Sequence, residues 1–95
     1  MRDDDFEWDS TKAVRNLLKH GVSFERARET FDDAFAVEWA DKAPYRGERR
    51  HVTVGMAGDR VLYVAYTFRG SVIRIISARI AEPYERRRYR NDSQS

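Results

Sequence analysis

Cysteine is missing from all 95 residues, so neither a disulfide framework nor a thiolate metal site can form. Small secreted domains commonly rely on such staples, and their absence favours a reducing cytoplasm. No apolar stretch approaches the roughly 18 residues that a membrane span needs. The chain opens on Arg2 and the acidic run Asp3–Asp5 rather than on an apolar leader, so the expectation is a cytoplasmic protein with no membrane role. Also lacking are a glycine-rich phosphate loop, paired histidines on one helical face, and a Ser-His-Asp set at a useful spacing. Lysine is scarce: three Lys stand beside fifteen Arg. Arginine offers a planar fork that grips phosphate through two parallel hydrogen bonds, whereas lysine acts as a point charge.

What is present is enough for one core. Twelve aromatic side chains (two Trp, five Tyr, five Phe) supply bulk, and the length leaves no room for a second domain. Residues 1–95 therefore read as one domain, with 1–5 and 91–95 expected to be flexible. The net charge of +2 hides a polarity: residues 1–41 carry a net −5 and residues 42–95 a net +7. The second half is suited to an anionic partner.

The hydrophobic periodicity predicts an α+β fold. Phe6 and Trp8 flank Glu7 as a short edge strand would, and Asp9 or Ser10 caps a helix ending near His20. Its stripe Ala13, Val14, Leu17 and Leu18 is expected to face the core, with Lys12, Asn16 and Lys19 on a polar face. Gly21 suits a left-handed helix end, and Val22 is expected to fold back onto Leu17 or Leu18. Ser23 caps a second helix with Phe24, Ala27 and Phe31 inward, closed by Asp32-Asp33. From residue 35 the period becomes 2. About four antiparallel strands follow: one from Phe35 to Trp39, a loop over 42–48, one over 49–54, a turn at Gly55 and Gly58-Asp59, then 60–68 and 71–79 about an Arg69-Gly70 turn. Pro83 opens a closing helix over about 82–90.

The densest chemical signal lies at the end. Arg74 interrupts an apolar strand, so it must pair with a carboxylate or point into a cleft. Arg79 ends the strand beside the last helix. On a regular strand the two arginines face opposite sides and converge only if the strand twists or bulges after Ser77. Glu85 and Tyr89 are one helical turn apart and share a face. Two histidines are present: His20 at a helix end and His51 on the polar face of a strand beside Arg49. RNA cleavage without a metal needs a base for the 2′-hydroxyl, a cation for the phosphorane and an acid for the leaving 5′-oxygen. Arg supplies the second, and His, Glu, Tyr or Lys the others. Each residue also has a plain reading, as a surface ion pair, a helix-end contact or an exposed strand position. Tyr63, Tyr66 and Phe68 read as core before they read as base-stacking groups.

Phe6-Glu7-Trp8-Asp9, Lys12-Ala13, Asn16 and Lys19-His20-Gly21-Val22-Ser23-Phe24-Glu25 resemble the opening signature of BrnT toxins. Phe31-Asp32-Asp33, Glu48-Arg49, Arg74-Ile75-Ile76-Ser77-Ala78-Arg79, Glu85-Arg86 and Tyr89 fit the rest, so the likeness spans about residues 6–90. Arg26 departs from it, where a second acidic residue is expected. The resemblance implies a RelE-like fold and RNA cleavage that stops translation, with no cofactor and no metal. It also implies a BrnA-type ribbon-helix-helix antitoxin, with two toxins flanking an antitoxin dimer that contacts operator DNA. On this reading Arg79 and Arg74 bind the scissile phosphate, and His20 or Glu85 serves as base or acid. Tyr89 positions or protonates, while Lys19, Arg49, Ser77, His51 and Lys12 hold the flanking backbone. The alternatives are a non-catalytic basic module that docks nucleic acid and a protein-interaction domain whose arginines meet an acidic partner.

Overall fold

The computed structural model describes residues 5–41 and 47–93. Phe6–Glu7 form a two-residue strand, β1. Asp9 then turns the chain by accepting a hydrogen bond from Lys12 N at 3.0 Å, and helix α1 runs over Ser10–His20. Gly21 closes it at φ 71°, donating to the Leu17 carbonyl. Ser23 caps α2 (Phe24–Arg28) in the same way, and a 3-10 turn over Glu29–Asp32 continues it. Strands β2 (Val37–Ala40), β3 (His51–Ala57), β4 (Arg60–Arg69) and β5 (Val72–Ile80) follow, and α3 (Pro83–Ser93) ends the chain.

The sheet order is β1-β5-β4-β3-β2, antiparallel except for β1, which pairs parallel to β5. Side chains alternate across it, and both faces are covered. Leu62 and Val64 of β4 and Ile75 and Ala78 of β5 meet Val22, Phe24 and Ala27 on one face. Burying a side chain such as Phe24, Leu62 or Ile75 is worth about 1.5–3 kcal/mol. On the other face Val52 and Val54, with Trp39, Val61 and Tyr63, meet Ala81 and Tyr89 from the α3 side. The expected α+β architecture of two helices, an antiparallel sheet and a closing helix is what the chain adopts, with β1 as a fifth strand.

Several details differ from the expectations. The α1 stripe does not face the core: Val14, Leu17 and Leu18 are 59%, 49% and 83% exposed, and only Ala13 packs inward. Asn16 is the buried residue, because its amide finds three backbone partners. Val22 enters the core. Gly55 is not a turn residue but lies inside β3, where a Cβ would meet the Ala36 Cβ at 3.0 Å. The missing side chain lets the Asp33–Ala36 segment press against the strand. Phe35 precedes β2 and is exposed, and α3 runs to Ser93 rather than fraying after 90. Asp3 and Asp4 of the acidic start, residues 42–46 of the expected loop and the final Gln94-Ser95 lie outside the described residues.

Candidate active site

The site begins with an irregularity. Ala65 pairs with Ser77, but the next residue, Tyr66, pairs with Ile75, so Ile76 is an extra residue in β5. It falls one position before Ser77, and it resets the alternation. Arg74, Ser77 and Arg79 stand opposite Thr67, Ala65 and Tyr63, which are alternate residues of β4. The three β5 side chains therefore share one face of the sheet despite their sequence parity.

Beyond its pairing with β1, the outer edge of β5 needs another partner. Asn16 supplies it: Nδ2 donates to the Ala78 carbonyl at 2.8 Å and Oδ1 accepts from Ala78 N at 3.1 Å. The same Nδ2 donates to the Val22 carbonyl at 2.9 Å. One side-chain amide thus stands in for a neighbouring strand and ties α1 to the sheet edge. Between α1 and that edge lies an open groove of about 340 Å³, lined by Lys12, Arg15, Asn16, Lys19, His20, Ile76 and Ser77. Four of these are basic, and none of the described lining residues is acidic.

The arginines on the adjoining face are held differently. Arg79 lies over the Tyr63 ring, with its guanidinium carbon 3.9 Å from the centroid. It donates to both oxygens of Glu85, at 2.8 and 2.9 Å, and to the Ile80 carbonyl at 3.3 Å. Glu85 also accepts from Glu82 N at 2.8 Å, half of a capping box at the start of α3. Burial pulls the Glu85 carboxyl upward, but the Arg79 fork and the Glu82 amide outweigh it and hold the group below its ordinary value. Glu85 hydrogen bonding in turn raises the Arg79 pKa. Arg74 donates to Glu7 at 2.7 Å, a carboxylate that the parallel β1–β5 pairing sets directly opposite it.

Tyr89 is tied to a different carboxylate. Its hydroxyl donates to Asp33 at 2.7 Å, and burial followed by that carboxylate pushes its pKa to about 12. His51 lies on the other sheet face, stacked on Tyr66 at 5.5 Å with Phe68 edge-on at 5.2 Å. The Arg49 side chain is exposed, while its carbonyl accepts from Thr67. Of the ten residues expected from sequence, Lys12, Lys19, His20 and Ser77 meet in one groove. Arg74 and Arg79 share the face that Ser77 opens onto, Glu85 and Tyr89 brace α3, and Arg49 and His51 stand apart. Arg15 was missed, although its spacing from Lys12 and Lys19 places all three on one helical sector.

A larger groove of about 530 Å³ lies by α3, lined by Met56, Asp59, Arg60, Val61, Ile80, Arg86, Tyr89 and Arg90. It carries an acidic residue and contains no histidine, whereas the α1–β5 groove has His20 and no described acidic lining. Among the described residues no three His, Asp or Glu side chains are grouped as a metal site requires, and no helix is long and apolar enough to cross a membrane.

Residues 8–85 match the family described as ribonuclease toxin, BrnT, of type II toxin-antitoxin system. No curated protein matches the chain.

Proposed function

The chain belongs to the BrnT family of ribonuclease toxins of type II toxin–antitoxin systems, and from that premise we propose that it cleaves RNA without a metal in the α1–β5 groove. Membership implies RNA cleavage and a cognate antitoxin. The observation that carries the finer reading is the groove's lining: Arg15, Lys19 and His20 gather beside Ser77, with Arg79 on the adjoining face. A cationic lining repels a divalent ion and attracts a phosphodiester backbone.

In this mechanism the RNA backbone crosses the β5 edge at Ser77. His20 takes the 2′-hydroxyl proton as general base, and water supplies the proton that the departing 5′-oxygen gains. Attack of the 2′-oxygen on phosphorus forms the new P–O bond, and the P–O5′ bond breaks. This leaves a 2′,3′-cyclic phosphate and a 5′-hydroxyl. Arg79 stabilises the charge that builds on the phosphorane, since its fork has five N–H donors and three are used on Glu85 and Ile80. Glu85 positions that fork rather than moving protons, because its carboxyl is already committed to three hydrogen bonds. Lys12, Arg15 and Lys19 hold flanking phosphates, and Arg74 extends the track.

Cleavage inhibits translation in the cytoplasm. The antitoxin is a ribbon-helix-helix protein, and two toxins flank its dimer while it contacts operator DNA. The test is cleavage of RNA by purified toxin in excess EDTA. The parent cuts, and His20→Ala and Arg79→Ala, folded by circular dichroism, each lose about 10²–10³-fold. Activity that vanishes in EDTA and returns with magnesium overturns metal independence. Undiminished cutting by both variants overturns the site.

A further inference from the structure

Helix α1 spends its apolar residues on solvent. Val14, Leu17 and Leu18, at i, i+3 and i+4, form one stripe with exposures of 59%, 49% and 83%. The helix does not need them for docking, since Asn16 and Ala13 hold it to the sheet. Three large aliphatic side chains left side by side on one helix mark a surface that another protein covers.

The charge around the stripe says what kind of protein. Helix α1 has no carboxylate from Ser10 to His20. Arg15 and Lys19 form the neighbouring sector, and Lys19 and His20 close the last turn. Two copies of this chain joined through α1 would set cation against cation. A partner with an apolar ridge and an acidic flank satisfies both sectors at once.

We infer that the cognate antitoxin docks on Val14, Leu17 and Leu18 through an amphipathic segment whose carboxylates reach Arg15 and Lys19. This deepens the proposed function and rests on it in one respect: those two cations also line the RNA groove, so the contact that anchors the antitoxin also covers the site. Neutralisation is then steric and electrostatic together, with no conformational change required in the toxin.

Leu18 lies outside the groove and is the most exposed of the three, so its substitution spares both fold and chemistry. The experiment measures the affinity of the antitoxin encoded alongside the toxin for the parent, Leu18→Glu and Leu18→Lys, beside RNA cleavage by each free toxin. Leu18→Glu is expected to weaken binding at least tenfold, and Leu18→Lys less. Both should cleave RNA at the parent's rate and escape antitoxin inhibition at concentrations that silence the parent. Affinity unchanged within twofold for both variants overturns the docking surface. Greater damage from Lys than from Glu overturns the acidic partner. A parent that self-associates, and whose self-association Leu18→Glu abolishes without touching antitoxin affinity, assigns the stripe to a second copy and overturns the inference. Binding is read without reference to cleavage, so an inactive parent would count against the proposed function alone.

Discussion

Asn16 and Ala78 are joined by two hydrogen bonds, 2.8 Å from the amide nitrogen to the carbonyl and 3.1 Å from the backbone N–H to the amide oxygen. The pair completes the edge of β5 where β1 has ended, and it fixes which side of α1 meets the sheet. Everything distinctive about the surface follows: the basic sector overhangs the bulge at Ile76, and the apolar stripe turns outward.

Replacing Asn16 with Leu is therefore expected to destabilise the protein despite its added apolar surface. It leaves the Ala78 N–H and two buried carbonyls without partners, at a cost of about 2–4 kcal/mol. The urea midpoint reads this directly. An unchanged or raised midpoint would show that the amide bridge is dispensable.

Acid should weaken the fold through two carboxylates. Glu85 and Asp33, whose ordinary values are 4.5 and 3.8, are both held lower in the folded chain. At Asp33, burial pulls upward but the Met56 and Phe35 amides and the Tyr89 hydroxyl prevail. A group with a depressed folded pKa stabilises fully above its unfolded value, and that stability is lost as the pH falls through the folded one. Stability should thus be steady near neutrality and fall as the pH drops below about 4.5. Urea midpoints across that range check it, and Glu85→Gln should flatten the slope.

Tyr89→Phe removes one hydrogen bond from Asp33 and should cost about 1–2 kcal/mol. Asp33→Ala should cost more, since it also strips acceptors from the Phe35 and Met56 amides. If Tyr89 only braces α3, the Tyr89→Phe protein cleaves RNA within about threefold of the parent. A far larger loss of cleavage with intact fold would place its hydroxyl in the chemistry.

Gly55→Ala should destabilise by about 1–3 kcal/mol. The new methyl would stand 3.0 Å from the Ala36 Cβ and 3.3 Å from both Asp33 Oδ2 and the Thr30 carbonyl, and two of those three neighbours are backbone or tightly bonded. Thermal denaturation of the two proteins is the check.

Much of the architecture was legible because caps and alternation act locally. Asp9, Ser23 and Gly21 end helices by hydrogen bonds within a few residues, and β4 reads as central because both its faces are apolar. The orientation of α1 was not legible. Its stripe obeys the rule for a core-facing helix, yet the deciding contact joins Asn16 to a backbone group 62 residues away. The shared face of Arg74 and Arg79 depended on a one-residue bulge that no turn residue announces. Glu7 as the partner of Arg74 required the parallel pairing of a two-residue strand. Among the site residues, Lys19, His20 and Ser77 could be chosen for their chemistry, whereas Arg15 called for the helical spacing to be carried one step further.

The proposed RNA path runs through the groove between α1 and the bulged edge of β5. The most direct measurement is the backbone amide chemical-shift footprint of a 2′-O-methyl RNA, which has no free 2′-hydroxyl and is not cut. Shifts centred on Lys12–Gly21 and Ile75–Arg79 are predicted. Shifts confined to Met56, Arg60 and Arg90, with α1 unmoved, would contradict the account.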